Sequence, residues 1–439
     1  MFYGNNYRYL IIFVGFWCLA SVCSNYVIIN FTFICMQNDM SQLKGDNTSI
    51  YDYTSDEKKW IMWAVGGGTT LGTVPTNYLV VRYGAKIPFF VSGIVSMIST
   101  VLIPLMAEHS FVGLLGLRFL QGLSYSTDFA TLGTMAVRWA PLKETATFIA
   151  ILTCFTAVAP IVTNPVTGLI CSSSLGWKYS YYLHAIFCLL FFILWLFIYI
   201  DDPQKTNRVS ENELKMIQKD KSSAHLDVNA KIPYLRIITS PVILVIWLNA
   251  FFEMSAIILF TTYLPIYFHR ILNFSITETG FYVAIVLGIN IPLRIIAAAF
   301  SDRITSISEK WKLRIFNSIS VGISGVLLSV IGVIPSQHNI LCFIVISICM
   351  CCVTLNCGGF YKCAALHARQ YAHVVIAAIQ FTKCLALFSA PALVAFFVID
   401  ESQRLQWIPV FVTLGVAMFV SNIISLFVFT DEPAEWTKS

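Results

Sequence analysis

The sequence predicts an all-α polytopic membrane protein, with twelve transmembrane helices in two six-helix halves. Three observations carry that expectation. Of 439 residues, 57% are hydrophobic and 12% are charged, about half the charged share of a soluble domain, and the mean hydropathy is +0.74. The apolar residues gather in runs of about 20, the length that crosses a bilayer core. A single long charged stretch, 201–240, divides those runs six and six. Such a composition excludes a water-soluble enzyme, a nucleic-acid binder and a disordered chain.

The runs, bounded by polar residues or Gly/Pro breaks, are 9–36, 60–81, 87–106, 111–136, 146–170, 179–200, 241–268, 277–300, 314–335, 339–361, 372–398 and 407–430. The first is too long for a signal-peptide h-region, about 7–15 residues, and no A-x-A site follows it. It is expected to stay as helix 1. The predicted divisions are an N-terminal half over 1–200, a central loop over 201–240 and a C-terminal half over 241–439. Pro160 and Pro165 are expected to interrupt helix 5, and Pro391 helix 11, because proline removes a backbone bond and kinks the helix. Matched kinks in the two halves suit a rocking bundle.

Lys and Arg mark every second loop. Arg82 and Lys86 follow helix 2, Arg138 and Lys143 follow helix 4, and Lys205, Arg208, Lys215, Lys219, Lys221, Lys231 and Arg236 fill the central loop. Arg303, Lys310, Lys312 and Arg314 follow helix 8, and Arg369 follows helix 10. Both termini fall on this basic side, which is expected to be cytoplasmic, in a plasma membrane or an intracellular vesicle membrane. The net charge of +5 therefore describes orientation, and gives no reason to expect a nucleic acid. The opposite loop 37–59 is acidic and holds Asn47-Thr48-Ser49, a glycosylation acceptor pattern; Asn273-Phe274-Ser275 is a weaker one. Most of the thirteen cysteines lie inside apolar runs, so they read as buried hydrophobes instead of a disulfide framework or a metal site.

A charge at the bilayer centre costs about 2.5–3.5 kcal/mol on insertion scales, so each one calls for a reason. Arg118, Gln121, Tyr125 and Asp128 follow i, i+3, i+7, i+10, one face of helix 4. Such a stripe is expected to face a water-filled cavity or another polar helix. Asn249 and Glu253 share a face of helix 7. Helix 1 carries Ser24, Asn25 and Asn30, and helix 10 carries Asn356 with Lys362 near its cytoplasmic end. The polar residues thus concentrate in helices 1, 4, 7 and 10, as a bundle of three-helix repeats around a cavity would require. Arg294 in helix 8 and Lys383 in helix 11 are candidate counter-charges for Glu253 or Asp128. A plainer reading stands beside these: paired carboxylates that only tie helices together, and asparagines that only bridge helices, at about 0.6 kcal/mol each.

Several strings are more specific. Pro75-x2-Tyr78-Leu79-x2-Arg82-Tyr83-Gly84-Ala85-Lys86 resembles the loop 2–3 signature of the major facilitator superfamily, and Arg118-Phe119-Leu120-Gln121-Gly122-Leu123 resembles its helix 4 motif. Arg138-Trp139-Ala140-Pro141-x2-Glu144, Gly176-Trp177, Asp202-Pro203, Ser210-x2-Glu213, Tyr263-Leu264-Pro265-x-Tyr267, Ser301-Asp302-Arg303-Ile304 and Asn356-x2-Gly359-Phe360 resemble solute carrier family 17, the anion/cation symporters. The matches run in order from about Arg8 to Trp436. The resemblance implies the major facilitator fold, with Arg82, Gly84, Asp302 and Arg303 as its gating motif. It also implies transport of a small organic or inorganic anion, coupled to H+ or Na+. Departures are visible. The helix 1 arginine of the family is absent from Ser24-Asn25-Tyr26, its helix 4 acid is Tyr125, and its loop 2–3 aspartate is Val81. Asp128, three residues past Tyr125, is the candidate replacement for the proton-linked acid, and Glu253 the second.

No G-x4-G-K-[ST] loop, nucleophile elbow or H-E-x-x-H string occurs, so neither ATP drive nor catalysis is expected. No cofactor, metal or partner chain is called for, and the protein is expected to act as a monomer. The substrate and coupling-ion candidates are Asp128, Glu253, Arg118, Gln121, Tyr125, Asn25, Asn249, Asn356, Lys362 and Lys383. The alternatives are a non-transporting receptor or scaffold on a transporter fold, a transporter of a neutral solute, and a uniport or channel-like conductance.

Overall fold

A computed structural model describes residues 6–37, 39, 51–141, 148, 151–206, 208–218, 234–303 and 306–437. No strand occurs among them. The long helices are α1 (Tyr7–Met36), α2 (Ser55–Tyr83), α3 (Lys86–His109), α4 (Phe111–Trp139), α5 (Phe155–Cys171) and α6 (Trp177–Ile198). They continue as α7 (Pro241–Arg270), α8 (Ile276–Gly288, resumed at Asn290–Arg303), α9 (Glu309–Val333), α10 (Asn339–Ala368), α11 (Ala372–Phe397) and α12 (Arg404–Val428). Nine helices among the described residues are long and apolar enough to cross a membrane. Of the others, α2 and α4 have 29 residues each but are rich in Gly, Ser and Thr. The residues form two compact units: Met1–Asp52 with Trp60–Ala230, and Tyr53–Lys59 with Lys231–Ser439.

In the first unit α1 is apolar all round, and it is buried on nearly every face against α4, α5 and α6, as an all-round apolar helix must be. Its N-terminus is capped from the central loop, where a short amphipathic helix, Glu211–Gln218, buries Glu213 and Ile217. The Glu213 carboxylate accepts from the backbone N–H of Tyr7 (3.2 Å) and Arg8 (2.9 Å) and lies 3.8 Å from the Arg8 guanidinium. A carboxylate there satisfies donors that the helix cannot satisfy itself and complements its dipole. α2 and α4 approach to backbone contact: a Cβ on Gly68 would sit 2.1 Å from the Phe119 carbonyl, and one on Gly122 2.1 Å from that of Val65.

In the second unit α7 packs on α8, α10, α11 and α12, and α9 packs on α10 and α12. Two helices here are broken where they touch. Residues Ser318–Ile323 of α9 are wound as a π-helix, and Thr354–Gly358 of α10 as a 3-10 helix ending at Gly359. Both kinds of irregularity are common at functional points in helices. The opening turn of α2 groups with this unit, where Lys58 Nζ lies 2.6 Å from both Glu401 carboxylate oxygens, with both side chains buried.

Four expectations need correction. Cys35 and Cys171 form a disulfide joining the C-terminal ends of α1 and α5; their positions at run ends, in place of run centres, make the pairing reachable. α5 and α11 run unbroken through their prolines. α8 pauses at Ile289, and α10 reaches Ala368 through its 3-10 segment where the sequence suggested one run ending at 361. Ser and Thr hydroxyls bonded to carbonyls one turn back fill helix interiors throughout, which is how polar residues are absorbed in spans. Asn47, Lys143, Glu144, Lys219, Lys221 and Lys231 lie outside the described residues, as do the side chains of Asp302 and Arg303 at the end of α8.

Candidate functional site

In the first unit the helix 4 stripe is wholly interior: Arg118, Gln121, Tyr125 and Asp128 are at most 2% exposed. The stripe packs on α1 and α3. Arg118 Nη1 donates to the Tyr26 carbonyl (2.8 Å) and to Gln121 Oε1 (2.6 Å). Gln121 Nε2 donates to the Asn25 carbonyl (2.9 Å) and Thr100 Oγ1 (2.8 Å). Asn25 Nδ2 donates to Ser96 Oγ (2.9 Å). The Tyr26 and Tyr125 rings meet at 4.7 Å. Asp128 is within electrostatic range of Cys18, Cys188 and Tyr125.

No carboxylate among the described residues pairs with Arg118, and its Nε is without a partner. A buried guanidinium held by one carbonyl, one amide and the Met62 thioether (4.0 Å) has its geometry fixed and its charge uncompensated, which is costly in a low dielectric. Thr163, Asn164 and Thr167 of α5 are also buried with unsatisfied side-chain atoms. They escaped sequence reading because single Thr and Asn residues in an apolar run carry no periodic signal.

The second unit holds two polar groups. Glu253 is fully buried and accepts a 2.5 Å hydrogen bond at Oε1 from Asn356 Nδ2, on the 3-10 segment of α10. Asn249, one turn before it, belongs elsewhere: its Nδ2 donates to the carbonyls of Val245 and Ser421, and its Oδ1 accepts from Asn317. Asn317 also donates to Asn422 Oδ1 (3.0 Å) and Ser425 Oγ (2.8 Å). This amide knot pins the π segment of α9 to α7 and α12. Lys362 pairs with Glu309 (3.2 Å), which also pairs with Lys312, and Lys383 is half-buried on α11.

At the loop 2–3 signature Gly84 is left-handed (φ 84°). The Asp201 carboxylate, from the far end of α6, accepts from the N–H groups of Ala85 (2.6 Å) and Lys86 (3.3 Å) and so caps α3. An acid thus reaches this turn although Val81 stands at the local position. Arg82 is exposed.

These helices, their glycine contacts and the loop 2–3 turn define a multi-helix membrane protein. The profile of the Major Facilitator Superfamily matches residues 9–391, and the chain belongs to that superfamily. It resembles solute carrier family 17. It is 23% identical over 411 residues to the uncharacterized transporter slc-17.3 of Caenorhabditis elegans, covering 90% of this chain and 76% of that one. It is 24% identical over 401 residues to the probable small intestine urate exporter of Mus musculus, covering 90% and 80%. Sialin of Homo sapiens is 25% identical over 231 residues, covering 53% and 46%. Among solved structures, the inward-open E. coli xylose transporter XylE superposes with a TM-score of 0.72 at 13% identity, covering 95% of each chain. A bacterial homologue of the lysosomal transporter Spinster, inward-facing and unoccupied, reaches 0.71 at 12% identity, covering 97% and 98%.

Proposed function

We propose that this chain is a secondary active transporter carrying a small organic or inorganic anion by alternating access, driven by a H+ or Na+ gradient. The observation that carries this reading is Arg118, a fully buried cation oriented by Tyr26 and Gln121 with no acid of the described residues against it. An anionic solute would complete the site, and Arg recognises planar anions through its fork of donors. The relatives support the same class, since they include proteins named for the transport of urate, phosphate and glutamate. Asp128 is the coupling carboxylate assigned to the first unit. The Cys35–Cys171 disulfide lies at helix ends away from the basic loops, and disulfides persist in oxidising compartments. That supports cytoplasmic termini.

The test is uptake by proteoliposomes offered radiolabelled urate, phosphate or glutamate, with xylose as the neutral solute, under imposed pH or Na+ gradients. Gradient-dependent uptake of an anion, lost in Arg118→Gln, is expected. Uptake of xylose alone, or no uptake by folded protein, overturns the anion reading and favours a neutral-solute transporter or a scaffold. Undiminished proton-driven uptake in Asp128→Asn removes Asp128 from the coupling path.

A further inference from the structure

We propose that Glu253 and Asn356 form a proton-binding acid–amide pair in the second unit, and that Arg294 is the charge engaging Glu253 when the proton leaves. The inference rests on the transporter reading above and assigns its coupling ion as H+ at this site.

Two buried acceptor atoms face each other's side chains in the second unit. Glu253 and Asn356 are 0% and 3% exposed. Their one contact is Asn356 Nδ2 donating to Glu253 Oε1 at 2.5 Å. The atoms left over are Glu253 Oε2 and Asn356 Oδ1, and neither has a partner among the described residues. Both are acceptors on side chains already in contact. One proton on Oε2 serves both, because Oε2–H donating to Oδ1 closes the eight-membered ring that a carboxylic acid forms with a primary amide. Without that proton a carboxylate is buried against one neutral donor, an arrangement that interiors avoid.

The charge that compensates the ionised state is within reach. The second piece of α8 packs on the 3-10 segment of α10, where Thr354 Oγ1 donates to Asn290 Oδ1 at 2.7 Å. Arg294 is one turn beyond Asn290, on the same helical face. It is exposed, makes no ion pair among the described residues, and is in electrostatic range of both Glu253 and Tyr361. Of the elements packed on α7, α8 thus presents Arg294 and α10 presents Tyr361. α11 carries Lys383 and Cys384 near its middle, and α12 carries no titratable residue beyond its terminal Arg404. A bare alkali cation at Oε2 would meet the Arg294 charge, whereas a proton neutralises the site. Proton and guanidinium therefore exclude each other at Glu253. A loaded proton leaves Arg294 available to an anion, which links the two ligands thermodynamically in the sense of symport.

The experiment uses the full chain purified into nanodiscs and pH-difference infrared spectroscopy, which needs no solute. Wild type is expected to show a protonated-carboxyl band at acid pH that is absent in Glu253→Gln. That substitution keeps the ring through an amide–amide pair, so folding is retained. In Arg294→Gln the band should persist to pH values at which wild type has lost it, and Arg294→Lys should restore the wild-type profile. An unchanged band in Glu253→Gln, or an unmoved profile in Arg294→Gln, overturns the proposal. If the band behaves as expected but no anion is transported, the acid–amide pair stands and the anion reading falls.

Discussion

Arg118 concentrates what single residues decide in this protein. Its guanidinium is interior, fixed by a carbonyl and an amide, and unmatched by any acid among the described residues. A hydrogen bond to a charged group contributes about 1.5–3 kcal/mol, so Arg118→Gln should weaken anion binding by about ten- to a hundred-fold, read as a rise in half-saturating anion concentration. Arg118→Lys should recover little, since one ammonium cannot reproduce the fork. Gly84 makes a structural counterpart. Its φ of 84° strains any other residue, and a Cβ would lie 2.5 Å from the Asp201 carboxyl. Gly84→Ala should cost about 1–3 kcal/mol, seen as a lower melting temperature in detergent. Both residues were legible in the sequence, Arg118 from its helical spacing to Gln121 and Gly84 from its motif. Asp201 at this turn was not, because a cap drawn from more than a hundred residues away leaves no local pattern.

At the scale of elements, helix ends are held by distant groups. α1 begins under the Glu213 carboxylate, so Glu213→Ala should lower stability by about 0.5–2 kcal/mol, with Arg8 left uncompensated. Glu213→Gln, which loses the charge but keeps one acceptor, should cost less; equal melting temperatures for the two variants would contradict the acceptor's share and leave the cap to charge alone. The Lys58–Glu401 pair in the second unit is buried on both sides. Removing one partner should cost about 3–5 kcal/mol, and replacing both by apolar residues much less. Lys58→Met should therefore melt well below the double variant Lys58→Met/Glu401→Leu. The run lengths foretold most helices. The breaks in α9 and α10 were hidden because they arise where Phe316 and Asn317 press on Gly358 and Gly359, a contact between separate runs.

For the whole molecule, orientation gives the sharpest expectation. With cytoplasmic termini, an impermeant reductant applied to intact cells should open Cys35–Cys171 and expose both thiols to an impermeant maleimide. For protein shown to be at the cell surface by surface biotinylation, labelling only after permeabilisation would reverse the topology. Hydropathy, the division of the runs and the alternation of basic loops are properties written locally along the chain, so the sequence by itself determined the class, the helix order and the polar stripe of α4. It also singled out Arg118, Asp128 and Glu253, because ionisable residues in apolar runs are conspicuous. Only the tertiary structure decided which of them stand together: Asn356 with Glu253, Asn249 with Asn317 and Asn422 instead, Lys362 with Glu309, and Cys35 with Cys171. Hydrophobicity acts on every residue separately and says that each run must be buried. The choice of partner depends on close packing between residues far apart in the chain, and packing is specified only when the helices meet.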